Sequence, residues 1–348
     1  MNALRRFTLA TLVIVTATTL HAAARTGNWY ATLETDGTLD IQLNENHRHN
    51  NFGFSVAPAD LSGIDAQQIA SKQAANVTFQ LRRAAGTIDF RGAFAEGSGS
   101  GFYTFTPNDA FIRDMQSLGY RDFSTDELFV FTTTNLTADS VRELRSLNLP
   151  PARDDLEEVA IFKLTPAYVR EIRAEGYPSV SLHDLVQLRV GKIDGPRIRE
   201  YRSLGFKDLS AGDVAELGIM KVTPEYAREI AAVGYPNLSS SDLTELRVGR
   251  VTAATIREYR ALGYTNVSAS KLAEAGIQKV TPDYIRALAK LGYRDLSLDK
   301  LIEMKIFKVT PEFIESLREA GYENVPVDKM IQMRMSGADK IFIKKKSS

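Results

Sequence analysis

The side chains whose types and spacing suit chemistry are few: a pair of histidines, a glycine-serine run, and several rows of basic residues. His47 and His49 lie two apart, so on a strand they would share one face and offer imidazole nitrogens to a metal ion. No third ligand accompanies them, and the surrounding Asn44 to Asn51 reads as a solvated polar loop. His183 falls in a variable first helical turn and reads as exposed. Gly97-Ser98-Gly99-Ser100-Gly101 puts glycine where a G-x-S-x-G nucleophile would stand, so it reads as a flexible hairpin. Ser268-Ala269-Ser270-Lys271 and Ser297-Leu298-Asp299-Lys300 match S-x-x-K, but they occupy a helix-capping position and lack companion motifs. With no H-E-x-x-H and no phosphate-binding loop, the chain is expected to be a non-enzyme with no catalytic residue, no metal site and no cofactor.

The basic rows are more informative. Arg113, Arg142, Arg170, Arg199, Arg228, Arg257 and Arg286 recur at one position of a helical repeat, and Glu315 ends the series. Stacked copies would align these guanidinium groups along one surface, where they could bind a partner's carboxylates or phosphates. The simpler reading is that each pairs with an acid of its own or the adjacent copy, such as Glu171, Glu200, Glu229 or Asp184. Such exposed pairs are common and contribute little. A partial second row stands one turn on, at Arg145, Arg173, Arg202 and Arg260. A third, Lys163, Lys192, Lys221, Arg250, Lys279 and Lys308, closes the second helix of each unit, where the helix C-terminus favours a cation.

The elements that position these rows follow from a period. Gly-aromatic pairs at Gly176-Tyr177, Gly205-Phe206, Gly234-Tyr235, Gly263-Tyr264, Gly292-Tyr293 and Gly321-Tyr322 are spaced by a constant 29 residues. An earlier pair, Gly119-Tyr120, is followed by a divergent copy in which Asn148-Leu149 replaces it; asparagine tolerates the left-handed conformation best after glycine. Each unit reads as two short helices. The first opens with Thr-Pro at Thr106, Thr165, Thr223, Thr281 and Thr310 and stops at the glycine. The second opens at Ser181, Ser210, Ser239, Ser268 or Ser297, with a capping box to Asp184, Asp213 and Asp242 in the first three. Two helices this short bury too little alone, so copies must stack, giving an α-solenoid of eight units over residues 105–340. Alternation of two repeat forms points to growth by 58-residue pairs. The last copy has Pro326 in place of the capping serine.

Residues 25–104 alternate apolar and polar in short runs, with a hairpin signal at Asp36-Gly37 and a short helix near Asp65 to Lys72. They predict a small β-domain, sandwich-like or a curled sheet, so the fold class is α+β and multidomain. Residues 1–24 carry Arg5 and Arg6, an apolar run from Phe7 to Leu20, then Ala22, Ala23 and Ala24, the order of a signal peptide cleaved after Ala24. Lys and Arg equal Asp and Glu at 43 each, so loss of those two arginines leaves a net charge of −2. No basic field remains to draw nucleic acid or anionic membrane, and the absence of cysteine excludes disulfides and thiol chemistry. No further apolar stretch has spanning length, so the chain is not expected to span a membrane after cleavage. Residues 341–348 form a basic, solubilising tail.

The repeat, Val280 to Leu301 as V-T-P-D-Y-I-R-A-L-A-K-L-G-Y-R-D-L-S-L-D-K-L, resembles helical repeats of exported bacterial proteins of unknown function. It is similar to arrays attached to some membrane metallopeptidases of the β-lactam-sensor type, and Thr87 to Tyr120 resembles the stretch leading into them. The resemblance implies a sensory or interaction role outside the cytoplasm, in the periplasm or extracellular space. The peptidase's zinc motif and membrane helices are absent, so no catalytic residue carries over. The leading expectation is an exported scaffold with a protein partner. The alternatives are a binder of an anionic envelope polymer through the arginine rows, and a nucleic-acid binder, since helix-turn-helix-Gly-Tyr order resembles tandem helix-hairpin-helix modules. Charge, export signal and turns such as Arg189 to Ile193, without paired glycines, weigh against the last.

Overall fold

The computed structural model describes residues 25–45 and 51–337. The expected leader and basic tail lie outside them. The chain divides into two compact units that meet between Lys163 and Leu164.

The first unit is built on β1 (Arg25–Leu33), β2 (Leu39–Glu45), β3 (Asn51–Val56), β4 (Leu61–Ser62), β5 (Ala75–Arg83), β6 (Gly86–Ala95) and β7 (Ser98–Pro107), with α1 (Ala66–Ala70) between β4 and β5. These strands form one curled antiparallel sheet in the order β3-β2-β1-β7-β6-β5-β4, so of the two expected forms the curled sheet is present and the sandwich-like one is corrected. Among the described residues no second sheet meets its apolar face; helices cover it instead. The predicted Asp36-Gly37 turn is present, with Gly37 at φ 83 and the Asp36 carboxylate accepting from the Thr38 amide and hydroxyl. Trp29 lies in the core with Phe79, Phe90 and Phe94, ring centroids 5.3–6.0 Å away. Its cross-strand neighbour Gly101 pairs in turn with Gly92, and the indole N–H donates to the Arg91 carbonyl. The glycine run is thus part of a hairpin, as expected, but most of it is paired strand. Only Glu96-Gly97, both at positive φ, makes the turn, and Ser98–Gly101 is strand.

Four helices complete this unit: α2 (Asp109–Ser117), α3 (Thr125–Thr134), α4 (Ala138–Ser146) and α5 (Leu156–Ile161). Thr106-Pro107 was expected to open α2, but both residues end β7 opposite Thr87 and Gly86; Asn108 is the cap, accepting from the Ala110 amide. The reason is register: Asn108 stands five residues before Arg113, as Thr165 stands five before Arg170. Helix α3 packs on the sheet through Phe129, which meets Phe52, Tyr103 and Phe105 at centroid distances of 5.2–6.0 Å. Arg25 lies 4.0 Å over the same ring and pairs with Glu45 and Asp126.

The second unit is an array of helix pairs. Its members are α6 (Pro166–Ala174), α7 (Leu182–Val190), α8 (Gly195–Ser203), α9 (Ala211–Ile219), α10 (Pro224–Ala232), α11 (Ser240–Val248), α12 (Ala253–Ala261), α13 (Ala269–Ile277), α14 (Pro282–Lys290), α15 (Leu298–Ile306), α16 (Pro311–Glu319) and α17 (Val327–Ser336). Thr165, Thr223, Thr281 and Thr310 cap α6, α10, α14 and α16 with proline at the first turn, while Asp194 caps α8 and Thr252 caps α12. The boxes Ser181/Asp184, Ser210/Asp213 and Ser239/Asp242 form as the spacing predicts. Even helices stop at glycines with φ 88–100, and odd helices α7 to α15 stop at a left-handed lysine or arginine, while α17 stops at Gly337. Pro326 provides no side-chain cap.

Candidate interaction surface

Two sets of tyrosines tie the helices of the array to one another. Those of the even helices, Tyr168, Tyr201, Tyr226, Tyr259 and Tyr284, donate to the carbonyls of Ile193, Val222, Val251, Val280 and Val309, each just past the end of an odd helix. Those of the Gly-Tyr pairs reach into the next repeat: Tyr177 to Leu209, Tyr235 to Val267, Tyr264 to Leu296 and Tyr293 to Val325. The acceptor always precedes the residue that caps the next odd helix, so the staple fixes that helix start. Burial pushes Tyr168, Tyr201, Tyr226 and Tyr259 up to about 12 and raises Tyr284 further. Arg189, Arg247 and Lys305 lie 3.5–4.9 Å over the rings of Tyr168, Tyr226 and Tyr284.

A 58-residue period is visible in the packing. A Cβ on Gly218 would run into the carbonyl of Gly191, and a Cβ on Gly276 into that of Gly249. These glycines let α7 approach α9, and α11 approach α13, backbone to backbone. Single-copy comparison does not reveal them; their 58-residue spacing is the signal that does.

The predicted arginine row divides between the units. In the first, Arg113 is exposed on α2 and Arg142 on α4 pairs with Asp139. In the second, Arg170, Arg199, Arg228, Arg257 and Arg286 are exposed on the even helices α6 to α14. Arg199 pairs with Glu175, Arg228 with Glu225 at 3.5 Å, and Arg286 with Asp283 at 2.7 Å and Glu258 at 2.6 Å. Arg257 forms no ion pair among the described residues. In the partial row behind it, Arg202 donates to the Glu175 carbonyl at a helix C-terminus; Arg318, not among the residues expected in that row, does the same for Leu291. Arg202 and Arg260 also lie 5.8 and 5.7 Å over the rings of Tyr177 and Tyr235.

Three further rows run across the C-terminal turns of the odd helices in the second unit. Val190, Ile219, Val248, Ile277, Ile306 and Met335, spaced by 29 residues, are 37–64% exposed and form an aliphatic row. Three residues before each, one helical turn back, stands Glu216, Glu245, Glu274 or Glu303, with Gln187 and Gln332 at the ends. Two residues after stands Lys192, Lys221, Arg250, Lys279 or Lys308, each exposed with φ 55–57. None of these five cations makes an ion pair among the described residues, nor do Glu216 and Glu245. Glu274 and Glu303 pair with Lys271 and Lys300 at 2.5 Å. The cation row is legible in the sequence, whereas the aliphatic row is hidden there because a helix end gives no hint of which apolar residues stay uncovered.

His47 and His49 lie outside the described residues, and His183 is exposed on the first turn of α7. Among the described residues no group of three acidic or histidine side chains stands where it would hold a metal ion. The S-x-x-K serines Ser268 and Ser297 act as helix caps. No helix among the described residues is long and apolar enough to cross a membrane. No protein family, curated protein or solved structure matches the chain.

Proposed function

We propose that this chain is a non-catalytic, exported binding scaffold: a β-domain carrying a solenoid of eight two-helix repeats that docks a protein partner in the periplasm or outside the cell. The observation that carries this reading is the aliphatic row with its unpaired cations. One exposed aliphatic residue per copy is ordinary, but six at the same position of successive copies make an apolar row of the kind that marks interaction surfaces. Export is supported by Arg5, Arg6, the apolar run Phe7 to Leu20 and Ala22 to Ala24. Binding of an anionic polymer through the arginine row is the weaker reading, since Arg199, Arg228 and Arg286 already hold carboxylates. The test is cross-linking and capture from the native envelope, comparing the protein with its Val248→Asp, Ile277→Asp variant. Partners retained only by the unaltered protein support the scaffold. Identical capture by both, or none by either, counts against it.

A further inference from the structure

The three rows on the odd helices are ordered along each helix as acid, aliphatic, cation. A rise of about 1.5 Å per residue puts the glutamates roughly 4.5 Å before the aliphatic row, and the cations follow beyond the helix end. Two pairs of neighbouring copies bring the rows close together: a Cβ on Gly191 would lie 3.3 Å from the Ile219 amide nitrogen, and one on Gly249 would lie 3.1 Å from the Ala273 Cα. Burial lowers the pKa of Lys305, beside Ile306; Glu312 opposes that shift and Lys279, from the preceding copy's row, adds to it. With interaxial spacings of about 8–10 Å, six helices give a stripe of roughly 40–50 Å. The attraction of a helix C-terminus for a cation, about 0.3–1 kcal/mol, accounts for the basic residues. It does not account for an uncovered aliphatic residue before each of them, nor for glutamates on the other side.

That order decides the occupant. An anionic lipid surface would satisfy the cations and the aliphatic row while bringing like charge against Glu216 and Glu245. An acidic peptide has the same defect. A second copy turned about a twofold axis parallel to the array has neither, because the turn carries its cation row across to face the first copy's glutamates. Each aliphatic row then meets its own equivalent, and every contact occurs twice, as an isologous interface requires. The rows hold 17 positions, close to the roughly 20 residues per side of a stable interface.

We propose that this surface closes a parallel, twofold-symmetric homodimer, aliphatic row on aliphatic row, with the glutamates of each copy against the cations of the other. The proposal rests on the scaffold reading and names the first partner of that surface.

The experiment is sedimentation equilibrium on the purified protein and two charge-inverted variants, Glu216→Lys with Glu245→Lys, and Lys221→Glu with Arg250→Glu. All four positions are exposed, and circular dichroism establishes that the variants keep their helices. The unaltered protein is expected to dimerise, less tightly as salt rises. Each inverted variant faces itself with like charges and is expected to dimerise at least about tenfold more weakly. An equimolar mixture of the two restores all the pairings and should recover a heterodimer. A monomeric unaltered protein, inverted variants that associate as well as it does, or a mixture that fails to recover would each overturn the proposal. A monomer that floats with phosphatidylglycerol vesicles assigns the stripe to lipid instead. A monomer whose Ile219→Asp variant loses a different protein partner overturns the dimer and leaves the scaffold reading standing.

Discussion

Helix α9 contains two glycines for which the same substitution should have opposite effects. An alanine in a helix interior is favoured over glycine by about 0.5–1 kcal/mol, because glycine loses more backbone entropy on folding. At Gly212 a new Cβ meets only the Ser210 hydroxyl oxygen at 3.7 Å, an ordinary contact. Gly212 stands in the first turn of α9, so Gly212→Ala should stabilise the array by a part of that amount. At Gly218 the Cβ would strike the Gly191 carbonyl and lie 2.9 Å from the Gly191 Cα. Both are backbone atoms, which yield only if α7 and α9 move apart and give up the contacts around them. Overpacking of this sort costs about 1–3 kcal/mol. Less the helical gain, Gly218→Ala should destabilise by roughly 0.5–2 kcal/mol, using the two ranges together. For a unit of this size each 1 kcal/mol moves the midpoint by about 2–4 °C. Thermal melts followed by far-UV circular dichroism resolve shifts of that size, and Gly276→Ala repeats the experiment against Gly249. If Gly218→Ala melts at or above the unaltered protein, α7 and α9 do not touch backbone to backbone at Gly191 and Gly218.

The 58-residue packing period makes a second prediction. Deleting Val222 to Lys279 keeps the two repeat forms alternating and should leave a cooperatively melting array, whereas deleting Val222 to Arg250 sets Met220 where Gly249 now admits α13 and should cost more stability. Equal melting temperatures for the two deletions would contradict it. Third, the buried tyrosines make the array sensitive to alkali. Unfolded tyrosines lose their protons near pH 10, while Tyr168, Tyr201, Tyr226 and Tyr259 hold theirs to about 12. Their contribution is thus full below pH 10 and is lost as pH rises through that window, by about 1.4 kcal/mol per pH unit for each. Urea midpoints should fall across it, less steeply in Tyr226→Phe; a flat profile would show the hydroxyls are not held. Finally, replacing Arg199, Arg228 and Arg257 with alanine should lower stability by no more than about 1 kcal/mol, as exposed pairs contribute little, and leave partner binding and its salt response unchanged. A matched loss of affinity and salt dependence would make the row a binding site after all.

Much of this molecule is written in local chemistry. The caps at Thr165 and Ser181, the left-handed stops at Gly176 and Asn148, and the Asp36-Gly37 turn all depend on residues a few positions apart, so the sequence by itself determined them. The period of 29 residues is equally plain, because stacked copies must present the same faces to one another. The helix start at Asn108 was masked by Thr106-Pro107, a good local cap that strand pairing to β6 took instead. Only the tertiary structure decided that the sheet is single, because an alternating strand says that one face is buried and not what buries it; here Phe129 of α3 does so. The close approach at Gly191 and Gly218, the reach of Tyr177 to Leu209 and the exposure of Ile219 and Ile277 are likewise tertiary facts. Each depends on how far apart two repeats settle and which helix ends the neighbours leave uncovered, and those distances come from packing, which acts between residues the local pattern does not join.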